Sequence, residues 1–269
     1  MALGGGLWTA AAAAAAATCA AVGVAALTAR TPPYHHARHG PPVSGHAESA
    51  AARAVGRRRP LLAGDSYSVS IPLSRLRPGI TDQEILARFT RGFFGGPTFT
   101  PERWLFALSG YQLTDVEAIR EAARCSPRKL RDGLAITKVG APSSIADETT
   151  PVVGSLLFGN FLVLDSRWAT SAEDAAAATS YIDFVYGGGE RSVISGSHRF
   201  QVSRRGRRSS DSEEPAAGRD EDAVDIAFSS VTDLAGMDGM LGRRFLGFHR
   251  LYSHLLFSDG IRRTLQAKA

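Results

Sequence analysis

The sequence predicts an α+β fold: a curved antiparallel sheet closed by one long C-terminal helix and preceded by two to three short helices. Three observations predict it. Between Tyr181 and Ser230, period-two runs of apolar residues alternate with turn signals, the pattern of half-buried strands. Upstream, Thr81-Asp-Gln-Glu84 and Thr114-Asp-Val-Glu117 match the capping box that opens a helix. Downstream, Leu241, Phe245, Phe248, Tyr252 and Leu255 recur at spacings of 4, 3, 4 and 3, the stripe of a helix with one face on a core.

The chain begins differently. Ala2 to Ala29 carries no charge and is dominated by alanine, with an Ala octet at its centre. At 1.5 Å per residue such a run suffices to cross a bilayer. The favoured reading of residues 1–29 is a membrane anchor, with the arginines after it holding the domain on the cytoplasmic side. A cleaved secretory signal and a mitochondrial presequence are the alternatives. Residues 30–60, with Pro32-Pro33, Gly40 and Pro41-Pro42, read as a disordered basic linker. Its His35, His36, His39 and His46 read as solvated tail residues, without fixed geometry for a metal.

Residues 61–269 read as the folded domain. Asp65–Leu73 alternates Tyr67, Val69, Ile71 and Leu73 with serines and Pro72, a half-buried strand whose proline suits an edge or an end. The helix after Thr81 puts Ile85, Phe89 and Phe93 on one side and stops at Gly95-Gly96-Pro97. A second helix starts at Thr100-Pro101, carries Trp104, Leu105 and Leu108, and ends near Gly110. A third starts at Thr114. The sheet resumes at Leu134–Val139. Leu156–Leu164 is apolar on both faces, the sign of a central strand. Tyr181–Tyr186 is a strand, and Gly187-Gly188-Gly189 is the hairpin turn after it. In Ser192–Ser203 the even positions Ile194, Gly196, His198, Phe200 and Val202 face inward and the odd ones, Ser195, Ser197 and Arg199 among them, face out. Residues 204–222 form a flexible charged loop. Val224, Ile226, Phe228 and Ser230 line the last strand. In the closing helix, Gly260 is expected to fray or kink the final turn.

Charge narrows the partners. Of 31 basic and 26 acidic residues, six Arg and the single acid Glu48 fall in residues 1–60. The remainder is balanced, so the net +5 belongs to the N-terminal tail. A neutral domain argues against nucleic acid, whose binding needs a basic face. The two cysteines, Cys19 and Cys125, are too few and too far apart for a disulfide framework.

No nucleophile elbow, P-loop, H-E-x-x-H or C-x-x-C motif occurs. Ser195 and His198 fall on opposite strand faces and cannot act as a dyad. His249 and His254 lie five apart on a helix, a poor metal pair. The arginines beside Ser209 and Ser210 make these serines phosphorylation candidates. The candidate lining of an internal cavity is His198, Tyr186, Ser230, Asn160, Phe228, Phe245 and Tyr252. Of these, His198 is the one group suited to acid–base work near neutral pH. No metal and no cofactor is implied.

The order of elements, and the segments Asp65–Gly96, Ile182–Val202 and Phe245–Leu265, resemble the START-like, polyketide-cyclase-like helix-grip superfamily, in particular a microbial and fungal branch of it. The run GFHRLYSHLLF (Gly247–Phe257) is similar to the aromatic-His-Arg end of its last helix. The resemblance implies a sheet gripping the last helix with a cavity between them. Carriers, receptors and cyclases share that architecture. The leading expectation is non-catalytic binding or transfer of a lipid or other hydrophobic molecule. The alternatives are a cyclase- or dehydratase-like enzyme using His198 with Tyr186, and a membrane-tethered interaction adaptor.

Overall fold

The computed structural model describes residues 36–56, 63–110, 112–124, 135–169, 179–189, 192, 194–205, 222–233 and 239–266. The apolar leader, both cysteines, Ser209 and Ser210 lie outside the described residues, as do the side chains of Leu241, Phe245 and Phe248. Among the described residues, no helix is long and apolar enough to cross a membrane.

The chain is α+β. In order it forms β1 (Arg38–Gly40), α1 (Ala50–Val55), β2 (Ala63–Pro72), α2 (Asp82–Gly95), α3 (Thr100–Ser109), α4 (Val116–Arg124) and β3 (Thr137–Val139). Then follow β4 (Ser155–Leu157), β5 (Phe161–Arg167), β6 (Thr179–Tyr186), β7 (Ser195–Arg205), β8 (Ala223–Asp233) and the closing helix α5 (Gly239–Leu265). The eight strands make one curled sheet in the order β1-β2-β8-β7-β6-β5-β4-β3. It is mixed, because β3 pairs with β4 in parallel while the other pairs are antiparallel.

Register puts the expected inner residues in rows. Tyr67 of β2 faces Phe228 of β8, which faces Phe200 of β7, which faces Ile182 of β6. Because strand side chains alternate, these rows share one face. Helices α2 and α5 cover it. Phe89, Phe93 and Phe94 of α2 meet the rings of Phe200, Phe184 and Phe161 at 4.8 to 5.1 Å between centroids. Tyr252, Leu256, Phe257 and Ile261 complete the core from α5.

Glycines decide how closely α2 and α5 approach. Gly260 is buried against the ring of Phe89, and a Cβ there would sit 2.6 Å from its edge. A Cβ on Gly92 would lie 2.5 Å from the Asp259 carbonyl oxygen. Gly260 therefore packs a helix crossing inside a continuous helix, where the sequence suggested fraying or a kink.

Caps follow the sequence with one shift. The Thr81 hydroxyl accepts from the Glu84 N–H at 3.1 Å. The Glu84 carboxylate is engaged by Arg77 and by Arg88. At α4 the cap is Asp115, whose carboxylate accepts from the Ala118 N–H at 3.0 Å, while the Thr114 hydroxyl donates to the Asn160 carbonyl. Thr114 is buried, and its hydroxyl is engaged with that carbonyl in place of the helix start. Helix α3 starts and stops as expected, with Gly110 at φ 61° donating to the Phe106 carbonyl. Its Trp104 and Leu108 are exposed at 67% and 88%, so it does not bury the side on which they lie.

Two further departures matter. The expected single strand Leu156–Leu164 is a hairpin: Phe158 at φ 52° and Gly159 at φ 75° turn β4 into β5. Its two apolar faces are both buried, one in the main core and one under α1 and α4.

The second departure is the segment expected as a disordered linker. Residues 38–40 pair with β2 as an edge strand, and 50–55 form a helix capped by the Ser49 hydroxyl. Ala51, Ala54 and Val55 pack on Ile119, Leu162, Leu164 and Val185. His46, expected in a solvated tail, is fully buried against the sheet. Consequently Ser197 and Arg199 of β7, expected to face solvent, are buried too.

Candidate functional site

At one end of the inner sheet face the apolar rows give way to polar ones. Asp65 of β2, Ser230 of β8, His198 of β7 and Phe184 of β6 form one cross-strand row. Thr232, Gly196 and Tyr186 form the next. The sequence places a serine, a threonine and a histidine beside Phe228 and Phe200 on the inward period of the same strands, so the strand period carries polar groups inward.

His198 is the centre of this patch. Its ring lies 5.2 Å from Phe228, 5.9 Å from Phe161, 6.2 Å from Phe93 and 5.0 Å from Tyr186, centroid to centroid. It is 7% exposed. Neither ring nitrogen has a hydrogen-bond partner among the described residues. Burial holds the imidazole well below its usual pKa, and the nearby His249 and His46 rings push the same way. His198 is therefore neutral at physiological pH, with one donor and one acceptor nitrogen.

The hydroxyls around it are engaged with one another. Tyr186 and Thr232 share a hydrogen bond of 2.9 Å. Burial pushes the Tyr186 phenol up to about 12, against the stabilising bonds from Thr232 and Ser230. Tyr186 and His198 touch as rings but are not hydrogen-bonded, so the expected acid–base pair is not assembled. Gly196 makes room for the phenol: a Cβ there would lie 2.4 Å from its oxygen.

Helix α5 roofs the patch with His249, which the sequence presents only as half of a poor metal pair and not as a lining residue. His249 Nε2 lies 3.3 Å from the Ser230 hydroxyl and 3.4 Å from that of Ser253. Its ring centroid is 6.5 Å from that of His198. Burial lowers its pKa, while the Asp65 charge opposes the change. The sequence signal was available, since His249 lies three residues before Tyr252 and so borders the predicted stripe.

Asp65 was also passed over. It is 5% exposed, and its Oδ2 faces His39 at 3.5 Å and Arg250 at 3.9 Å. Its Oδ1 has no partner among the described residues. It stands at the start of the segment Asp65–Leu73, outside the apolar alternation of Tyr67, Val69, Ile71 and Leu73. The register shows it sharing the inner face with Tyr67.

The remaining candidates fall elsewhere. Phe228 is wholly buried and forms the wall behind His198. Tyr252 points to the α2–α3 junction, with its hydroxyl 3.5 Å from the Thr98 carbonyl. Burial and the Glu102 carboxylate both hold its pKa well above the usual range. Glu102 itself is pushed up to about 7 by burial, against the hydrogen bond from Tyr252. Asn160 is structural: its amide oxygen accepts from the Leu113 N–H and its amide nitrogen donates to the Phe158 carbonyl. It pins the β4–β5 turn to the chain before α4. The Phe245 side chain lies outside the described residues.

The arrangement presents an aromatic wall, a group of neutral hydroxyls and an unpartnered neutral imidazole. Such a surface can orient an apolar molecule through hydrogen bonds. Among the described residues, no cluster of three or more metal-ligating side chains occurs. A scan against protein-family models gives no match, and neither do searches of curated proteins and of solved structures.

Proposed function

We propose that the domain is a START-like helix-grip module that binds a lipid or other apolar small molecule without transforming it. The bound molecule would lie at the polar end of the inner sheet face, against His198, Tyr186, Ser230 and Thr232, under α5. Residues 2–29 would tether the domain to a membrane. The observation that carries the reading is His198. A buried imidazole with two unpartnered nitrogens costs about 1–3 kcal/mol per unmet group, which a protein retains where a ligand supplies the partner. The phenylalanines fill the middle of the inner face, so the ligand end is the polar one. A non-catalytic role is favoured because burial takes the His198 pKa far below neutrality, and a general acid–base group needs one near it.

Native mass spectrometry of the purified full chain tests the reading. A reproducible co-purifying apolar molecule, lost in His198→Phe, is the expected result. Ligand-free protein that takes up no apolar molecule on incubation would remove the carrier reading and favour the adaptor.

A further inference from the structure

We propose that the polar end of this site selects neutral, hydroxyl-bearing apolar molecules over apolar acids and amines. The inference rests on the ligand-binding reading above and adds the chemistry of the head group.

Two side chains on this part of the inner face are buried and incompletely satisfied: His198, through both ring nitrogens, and Asp65, through Oδ1. They lie in one cross-strand row with Ser230 between them. Two strand spacings separate their backbones by about 10 Å. Period-two geometry puts their side chains on the same face. Between them, the Ser230 hydroxyl and His249 are already partnered with each other.

The chemistry of these atoms restricts the ligand. A neutral imidazole offers one N–H donor and one bare nitrogen acceptor. A hydroxyl both donates and accepts, so it satisfies either nitrogen whichever tautomer is present. The Asp65 Oδ1 accepts, so a second hydroxyl, or an ordered water carried by the first, can donate to it. A carboxylate has no proton to donate to the bare nitrogen or to Oδ1. It would also bring a second negative charge into a site that already holds the Asp65 carboxylate. An ammonium suits Asp65 but has no lone pair to accept from the imidazole N–H. Arg250 and His39 face Oδ2, while Oδ1 has no hydrogen-bond partner among the described residues.

The test uses three probes of one chain length: decan-1-ol, decanoic acid and decylamine. Each is titrated at neutral pH against the full chain, with native mass spectrometry and calorimetry as readouts. The alcohol is expected to bind about tenfold more tightly than the acid or the amine, the worth of one well-made hydrogen bond. His198→Phe is expected to lower alcohol affinity about tenfold. Asp65→Asn, which keeps shape and removes charge, is expected to narrow the alcohol-to-acid ratio. Its narrowing is read alongside far-ultraviolet circular dichroism, so that an unfolded variant is recognised. Equal or tighter binding of the acid or amine would overturn the selectivity while leaving the ligand-binding reading intact. Binding of none of the three would overturn both. An unchanged ratio in folded Asp65→Asn would overturn the part assigned to Asp65.

Discussion

The imidazole of His46 lies 2.8 Å from the hydroxyl of Ser229, a residue 183 positions later, and its other nitrogen lies 3.1 Å from the Ser197 hydroxyl. The ring thereby fastens the N-terminal segment across the outer face of β7 and β8. Burial, reinforced by the Arg199 charge, lowers its pKa to about 3. A base whose folded pKa is depressed binds its proton more readily when unfolded. Its contribution is therefore complete above about pH 6.5 and is lost as pH falls towards about 3. Unfolding free energy measured in denaturant should fall with pH across that window. His46→Gln should flatten the slope by up to one proton, at a cost of about 1–3 kcal/mol at neutral pH for the hydrogen bonds to Ser197 and Ser229 that are lost. Equal slopes in the two proteins would mean that His46 is solvated in solution.

His198 offers the opposite trade. Replacing it with Phe removes two unmet polar nitrogens from an aromatic environment of Phe93, Phe161 and Phe228. His198→Phe should raise stability by about 1–2 kcal/mol in chemical denaturation while weakening the proposed ligand binding. A loss of stability would show that the nitrogens are satisfied in solution.

At the crossing of α2 and α5, Gly260→Ala should be destabilising. Alanine in a helix interior gains roughly 0.5–1 kcal/mol over glycine. Here its methyl group would approach Phe89 to 2.6 Å, and overpacking costs about 1–3 kcal/mol. The net loss should be recovered by Phe89→Leu in the same chain. Independent, additive effects in that double-mutant cycle would argue against the contact.

Asp183 and Arg199 form a bidentate pair on the outer sheet face, with bonds of 2.7 and 2.8 Å, and Arg199 stacks 4.0 Å above the Tyr181 ring. Both are buried. Asp183→Asn should cost about 3–5 kcal/mol, because it leaves a buried cation without its counter-charge. Asp183→Leu combined with Arg199→Met should cost far less. Thermal unfolding of the three variants ranks them directly, and a mild single mutant would show that water reaches the pair.

The inner face was legible in the residues because one face of each strand met a single environment. Tyr67, Val69 and Ile71, or Phe228 and Ile226, alternate with period two, and that period survives whatever the strands pack against. His198 and Tyr186 could be placed inward on the same grounds. Asp65 and His249 could not be recognised as their neighbours. Nothing local records that β2 pairs with β8, or that α5 lowers His249 onto Ser230. Asn160 was misread for a related reason: its polarity indicated a cavity, whereas its amide is spent holding a turn.

Residues 38–56 show where local reading ends. Their prolines and short helix have too little apolar surface to fold alone, and short helices are marginal in isolation. They are ordered because β2, β5, β6 and α4 supply the other half of each contact. The same contacts bury Ser197 and Arg199, whose polarity alone predicts exposure. The sequence by itself determined an α+β chain, its strand faces, its helix starts and a closing helix, all of which follow from short-range periodicity and backbone capping. Only the tertiary structure decided which polar groups share the inner face, that residues 38–56 cover part of the outer face, and that α2 and α5 cross at glycines. Those outcomes depend on pairing between residues up to 186 positions apart, which no local pattern encodes.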